Sequence, residues 1–131
     1  MVSLITREIR VSAESTYQRA YSMPAKRQYV YAYRIRIGNE SSTPVQLLSR
    51  TWEVIDATGN RRLVEGEGVV GQQPVILPGQ VHEYTSWVQF ETPIGAMRGS
   101  YVMQRVDRFK DGELFAVEVP KFVHAAPVIL N

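Results

Sequence analysis

Alternation of apolar and polar side chains is the feature that most constrains the fold. It is clearest over residues 29–37, where tyrosines and isoleucines occupy every second position and Ala32, Arg34 and Arg36 lie between them. Because successive side chains of a strand point to opposite faces of a sheet, this pattern predicts a half-buried β-strand. No window of helical length shows a sustained period of 3.6 residues. The chain is therefore expected to be an all-β protein.

Similar runs, bounded by glycine, proline or Asp-Gly punctuation, predict seven short strands in total. They cover residues 4–11, 29–37, 45–57, 61–64, 81–90, 100–106 and 114–119. The second and third are expected to be antiparallel neighbours, and segment 16–28 is expected to be a long mobile connection. Turns are predicted at residues 58–60, 78–79, 93–95 and 111–112. These features favour one domain over residues 1–131, an immunoglobulin or fibronectin type III-like β-sandwich of about seven antiparallel strands.

Composition excludes several classes of function. The chain has no cysteine and two histidines, His82 and His124, so thiol chemistry and a three-histidine metal site within one chain are excluded. Fifteen Lys and Arg against thirteen Asp and Glu leave a net charge of +2, without the dense basic cluster of a nucleic-acid binder. Charged residues near the N-terminus precede any apolar run long enough for a signal peptide or a membrane span. We expect a cytoplasmic protein without cofactors, nucleic-acid binding or membrane insertion.

The segment VEGEGVVGQQP contains a literal G-x-G-x-x-G at Gly66, Gly68 and Gly71. In a dinucleotide fold, these glycines lead into a helix whose N-terminus holds the pyrophosphate. Here Pro74 and Pro78 follow the glycines and disfavour a helix, and the nearest suitable acid, Glu91, ends an antiparallel strand candidate. The three glycines are therefore interpreted as conformational glycines of an irregular connection. Their alternative role is an anion-binding nest of backbone N–H groups, although neighbouring glutamates would repel an anion.

The two tryptophans are expected to lie in different environments. In segment 81–90, Trp87 alternates with Tyr84, Val88 and Phe90, so it points outward if those three fill the core. An exposed tryptophan is a common anchor of protein interfaces. Trp52 is expected in the core, like the buried tryptophan of immunoglobulin-like sandwiches. Trp87 is therefore the candidate for a protein interface, and no residue is a candidate for catalysis or metal binding.

Long segments of the chain resemble the bacterial ApaG family. They are QYVYAYRIRIGNE, PVQLLSRTWEVIDATG, VEGEGVVGQQPVILPG, EYTSWVQFETPIGAMRGSYVM and FAVEVPKF, and the resemblance runs from about Tyr29 to Pro127. The resemblance implies a fibronectin type III-like sandwich and places the family's G-x-G-x-x-G on Gly66, Gly68 and Gly71. The segment 106–113, VDRFKDGE, is longer than the family's usual hairpin.

The resemblance also implies a link to cobalt resistance and magnesium efflux, which must be indirect because no segment predicts a membrane span. Similar domains in an F-box substrate receptor and a polymerase-delta-interacting protein imply protein recognition. We expect a non-catalytic adaptor with an unidentified protein partner, and a homodimer is compatible with this expectation. The alternative is a phosphate- or divalent-cation-binding protein acting in ion homeostasis.

Overall fold

The structure is a computed structural model that describes residues 1–106 and 111–127. Within these ranges it has nine strands: β1 (Val2–Thr6), β2 (Ile9–Tyr17), β3 (Tyr29–Asn39), β4 (Val45–Asp56), β5 (Arg61–Glu67), β6 (Val75–Ile76), β7 (Val81–Phe90), β8 (Ile94–Val106) and β9 (Asp111–Ala125). Two one-turn 3-10 helices, Arg19–Tyr21 and Pro24–Lys26, lie in the connection from β2 to β3.

The strands form two antiparallel sheets that face each other. The first has the order β1-β2-β3-β7, and the second has the order β5-β4-β8-β9 with β6 also paired to β4. Their inner faces supply one hydrophobic core, in which the Trp52 ring contacts Tyr33 and Tyr101 edge to face. The predicted sandwich and the predicted buried position of Trp52 are confirmed.

Two expectations about the strands are wrong. Residues 4–11, predicted as one strand, contain the turn of a hairpin formed by β1 and β2. Arg7 and Glu8 adopt positive φ in this turn, and no glycine there indicates a turn in the sequence. β3 and β4 lie in opposite sheets and are not the predicted neighbours. The buried Asn39 side chain donates to the carbonyls of Thr43 and Ile76 and fixes the connection that crosses between the sheets.

The strands at the C-terminal end are longer than predicted. β8 begins at Ile94, so Gly95 lies in the strand, against the Phe90 ring, and not in the predicted turn. Gly99 is also within β8 and lies against the Thr51 carbonyl. Asp111 and Gly112 open β9 instead of forming the turn. Residues 107–110, within the hairpin predicted to be longer than usual, lie outside the described residues.

Candidate functional site

Strand β7 is an edge strand. In the described part of the chain it pairs with β3 alone, with Tyr33 opposite Ser86 and Ala32 opposite Trp87. The Gln89 carbonyl accepts from Arg62 of β5 at 3.0 Å, on the side away from β3. Backbone groups of an antiparallel strand alternate between its two sides. The N–H and C=O groups of Thr85 and Trp87 therefore face away from β3, toward the opening between the two sheets.

Two aromatic side chains project from this edge. Trp87 is 50% exposed on the outer face of β7, which confirms the outward direction predicted from the alternation. Tyr21, in the first 3-10 helix, is 66% exposed. The two rings pack edge to face, with centroids 5.2 Å apart and planes at 85°. Exposed apolar side chains are common one at a time, but a packed pair beside an open strand edge is typical of a binding surface.

The glycine run lies opposite this edge, as an irregular connection between β5 and β6. Both strands pair with β4, so residues 68–74 interrupt an edge strand. Gly66, at the end of β5, lies on the Arg50 guanidinium, where an added Cβ would be 2.8 Å from Nη1. Gly68 has φ 61° and Gly71 has φ 75°, the left-handed region that favours glycine. Close packing therefore accounts for the glycine at position 66, and positive φ accounts for the glycines at positions 68 and 71.

Several backbone amides of this connection are already bonded within the protein. The Gly68 N–H donates to the Leu48 carbonyl at 2.8 Å, and Val69 and Gln72 exchange both backbone hydrogen bonds. Arg50 Nη1 donates to the carbonyls of Glu67 and Gly68. A nest needs successive free N–H groups converging on one point. The N–H groups of Gly68, Val69 and Gln72 are therefore already used and cannot take part in such a nest. Anion binding by this connection remains a prediction.

Val70 is the strained residue of the connection. It has φ 48° and its side chain is 62% exposed, while its neighbour Val69 is buried in the core. A β-branched residue with positive φ is a genuine outlier, costing about 1–3 kcal/mol, and such residues cluster at functional sites. Here the strain presents an apolar side chain to solvent at the tip of the connection.

A hollow of about 410 Å³ separates the connection from β7. Arg50, Val70 and Gly71 border it on one side, and Thr85 and Trp87 border it on the other. Of the predicted site residues, Gly71 and Trp87 therefore come together at this hollow, whereas Gly66 and Gly68 support the connection. We call the hollow, with the β7 edge, the edge cleft.

The floor of the edge cleft includes Tyr33 and Tyr84. Burial raises the pKa of both phenols, and the Tyr84 hydroxyl is hydrogen-bonded to the buried Tyr101 hydroxyl. These phenols are therefore neutral at physiological pH. Among the residues that border the hollow, Glu67 is the one carboxylate, and none is His or Cys. The site can bind by shape, apolar contact and hydrogen bonding.

The two histidines lie apart from each other. His124 is fully buried among the rings of Tyr31, Phe90 and Phe122, and its Nδ1 is 2.6 Å from Ser15 Oγ. Burial lowers the pKa of His124 from 6.5 to about 4. His82 is half-buried at the start of β7. No group of three or more His, Cys, Asp or Glu side chains in residues 1–106 and 111–127 is placed to hold a metal ion.

Comparison with known proteins identifies the family. The family model described as the ApaG domain matches residues 19–105. This chain belongs to the ApaG family. It is 45% identical to the ApaG protein of Rhodospirillum centenum over 127 residues, covering 97% of this chain and 95% of that one. It is 46% identical to the ApaG protein of Vibrio atlanticus over 123 residues, covering 94% of each.

A crystal structure of the ApaG family superposes closely on this fold. It is that of a Bordetella pertussis protein described as ApaA, with a TM-score of 0.86 and 41% identity, covering 91% of this chain and 94% of that one. The sandwich architecture is therefore shared with a solved relative. Within the described residues, no helix has the length and apolar character needed to cross a bilayer.

Sequence reasoning missed three residues of the edge cleft. Val70 carries no signal, because a left-handed valine cannot be anticipated from its propensity. Tyr21 lies in a segment whose polar composition predicted a mobile connection, and Arg50 lies in a strand whose pattern indicates only its core residues. The one signal in the sequence for Tyr21 was an aromatic residue in a polar segment, three positions before Pro24.

Proposed function

We propose that this member of the ApaG family is a non-catalytic protein-interaction domain that binds an extended polypeptide segment along the edge of β7. The observation that carries the proposal is the edge cleft itself. An edge strand with outward backbone groups, the exposed Trp87 and the strained apolar Val70 meet around one hollow, and Tyr21 packs on Trp87 beside it. These features suit strand addition, in which main-chain hydrogen bonds supply affinity and alternate side chains supply specificity.

The chemistry of the residues supports recognition over catalysis. Burial raises the pKa of the Tyr33 and Tyr84 phenols further above physiological pH than that of an exposed tyrosine, so both are poor general bases there. Trp87 offers a large amphipathic ring to a partner, and tryptophan is enriched at interface hot spots. The two sheets hold the edge cleft in place, so little conformational entropy is lost on docking.

The link to cobalt resistance and magnesium efflux that the resemblance implies is attributed here to the partner protein. In this proposal the chain binds a protein whose own activity concerns ion homeostasis, and the chain's link to the ions is indirect. The alternative is that the chain itself binds phosphate or a divalent cation. Calorimetric titration with inorganic phosphate, Mg²⁺ or Co²⁺ distinguishes the two, since direct binding would favour the alternative.

The proposal can be tested with a displayed library of random peptides. Each peptide is about 12 residues long, so it can span the ten residues of β7. Selection on the folded domain should enrich peptides that bind. Thr85→Pro should abolish their binding, because it removes an outward N–H while leaving the hydrogen bonds to β3 intact. Trp87→Ala should weaken binding by on the order of tenfold or more.

The matched control is Val123→Ala, which truncates another exposed side chain, 55% exposed, on the other sheet. It should leave peptide binding unchanged, and circular dichroism should show all three variants folded. Failure to enrich any peptide, or enriched peptides that bind Thr85→Pro and Trp87→Ala as well as the parent, would contradict the proposal.

A further inference from the structure

The connection from β2 to β3, residues 18–28, packs beside the edge cleft as an ordered segment. Its ends are joined where the Gln18 N–H donates to the Val30 carbonyl at 2.8 Å. The Ser22 hydroxyl bridges the Gln18 carbonyl and the Val30 N–H, at 2.7 and 2.9 Å. Tyr21 reaches Trp87 from this segment. A ligand along the C-terminal half of β7 therefore meets this segment as well.

The segment carries positive charge that is not neutralised locally. Arg19, Lys26 and Arg27 are all exposed, and residues 15–39 include neither Asp nor Glu. In the described part of the chain, the ion pairs within 4 Å involve other residues. Arg34, for example, pairs with Glu14 and Glu83. We call Arg19, Lys26 and Arg27 the basic segment.

The position of the basic segment fixes which end of a ligand it meets. Tyr29, two residues after Arg27, is opposite Phe90, the last residue of β7. The basic segment therefore lies at the Phe90 end of the edge. Glu91, which follows Phe90, borders a separate hollow with Arg61 and Arg62 on the β5 side. The charges that accompany Tyr21 on its own segment are thus all positive, while Arg50 and Glu67 border the hollow from the side of the glycine connection.

We propose that the polypeptide bound along β7 is acidic, with its carboxylates at the end that lies beside the basic segment. This inference rests on the proposed function. Complementary charge at the rim of an interface raises association rates and selects among partners more than it raises affinity, and salt screens it. A single-stranded nucleic acid also combines stacking with negative charge, but its backbone does not offer the alternating donors and acceptors that a strand edge pairs with.

The same random peptide library tests this inference through the charge of its binders. Enriched peptides should carry an excess of Asp and Glu clustered at one end. The affinity of the best peptide should fall about tenfold between about 50 and 300 mM NaCl, as the screening length shortens. The triple variant Arg19→Gln/Lys26→Gln/Arg27→Gln should weaken that peptide about tenfold, mainly through slower association.

The control removes the same number of charges from surface away from β7, as Arg7→Gln/Arg98→Gln/Lys121→Gln. It should change binding by less than about twofold, since exposed ion pairs and distant charges contribute little. Equal losses in the two triple variants would overturn the inference, because the effect would then be one of net charge.

Other outcomes separate this inference from the proposed function. Enriched peptides without excess acid, still lost in Thr85→Pro, would overturn the acidic partner and leave strand addition intact. A library that yields no binder would overturn both. Tight binding of a random single-stranded RNA that is lost in the first triple variant would assign the surface to nucleic acid. Self-association of the parent that is abolished by Thr85→Pro would make a second copy the occupant, and either of these results would overturn the inference.

Discussion

His124 should make the stability of this protein fall as the pH drops below 6.5, a loss that begins above the range where carboxylates titrate. The ring is fully buried, its Nδ1 is bonded to Ser15, and its Nε2 has no hydrogen-bond partner among the described residues. Burial lowers the pKa of His124 from 6.5 to about 4. Between these values the unfolded chain binds a proton that the folded chain excludes, so stability is complete above pH 6.5 and falls as the pH falls.

The magnitude follows from the size of this pKa difference. At about 1.4 kcal/mol per pKa unit, lowering the pH from 6.5 to 4 should remove about 3 kcal/mol of stability. Between pH 6.5 and 5 the loss is due mainly to His124, and about 2 kcal/mol is expected there. Below it, carboxylates with lowered pKa, such as Glu53 and Asp56, begin to contribute as well.

Urea unfolding followed by tryptophan fluorescence measures this loss, because Trp52 is in the core. His124→Phe keeps an aromatic ring among its aromatic neighbours and should abolish the dependence between pH 6.5 and 5. His82→Gln, at a half-buried position, is the control and should retain it. A parent protein with constant stability over this interval, or a His124→Phe variant with the parent's slope, would refute the reasoning.

Three further predictions concern the glycine connection and the core. Gly68→Ala should destabilise the fold by about 2–3 kcal/mol in urea unfolding, because the added Cβ would clash with its neighbours at a residue of positive φ. Gly71→Ala, which has open space around it, should cost about 1 kcal/mol, and equal costs for the two variants would contradict the geometry. Val70→Asn should raise stability by about 1 kcal/mol, since asparagine tolerates positive φ, while weakening selected peptides; a less stable variant would show that Val70 is not strained. Tyr84→Phe should cost about 1–2 kcal/mol by leaving the Tyr101 hydroxyl buried without this partner, and an unchanged unfolding midpoint would contradict that bond.

The sandwich was predictable from sequence because its strands alternate clearly. The bounds of β7 were predicted to the residue, and the outward direction of Trp87 followed from the same alternation. The β1–β2 turn was not predictable, because Arg7 and Glu8 adopt positive φ without glycine. The assignment of β3 and β4 to opposite sheets was not predictable either, because it depends on long-range pairing of β3 with β7 and of β4 with β8, which no local pattern shows.

The candidate site was predictable in its parts and not in its assembly. Sequence singled out Trp87 and the glycines, but their meeting at one hollow depends on β5 and β7 being the edges of facing sheets. The contributions of Tyr21 and Arg50 depend on tertiary contacts with Trp87 and Gly66. Such contacts carry no periodicity, so they appear only once the fold is known.

Hydrogen exchange at single amides of β7, with and without a selected peptide, tests strand addition most directly. In the free protein the amides of Thr85 and Trp87 should exchange quickly because they face away from β3, and the Ser86 amide should exchange slowly because it faces β3. Bound peptide should slow exchange at Thr85 and Trp87 by about a hundredfold or more and leave Ser86 nearly unchanged. Peptide binding that leaves the amides of Thr85 and Trp87 as fast as in the free protein would contradict pairing along this edge.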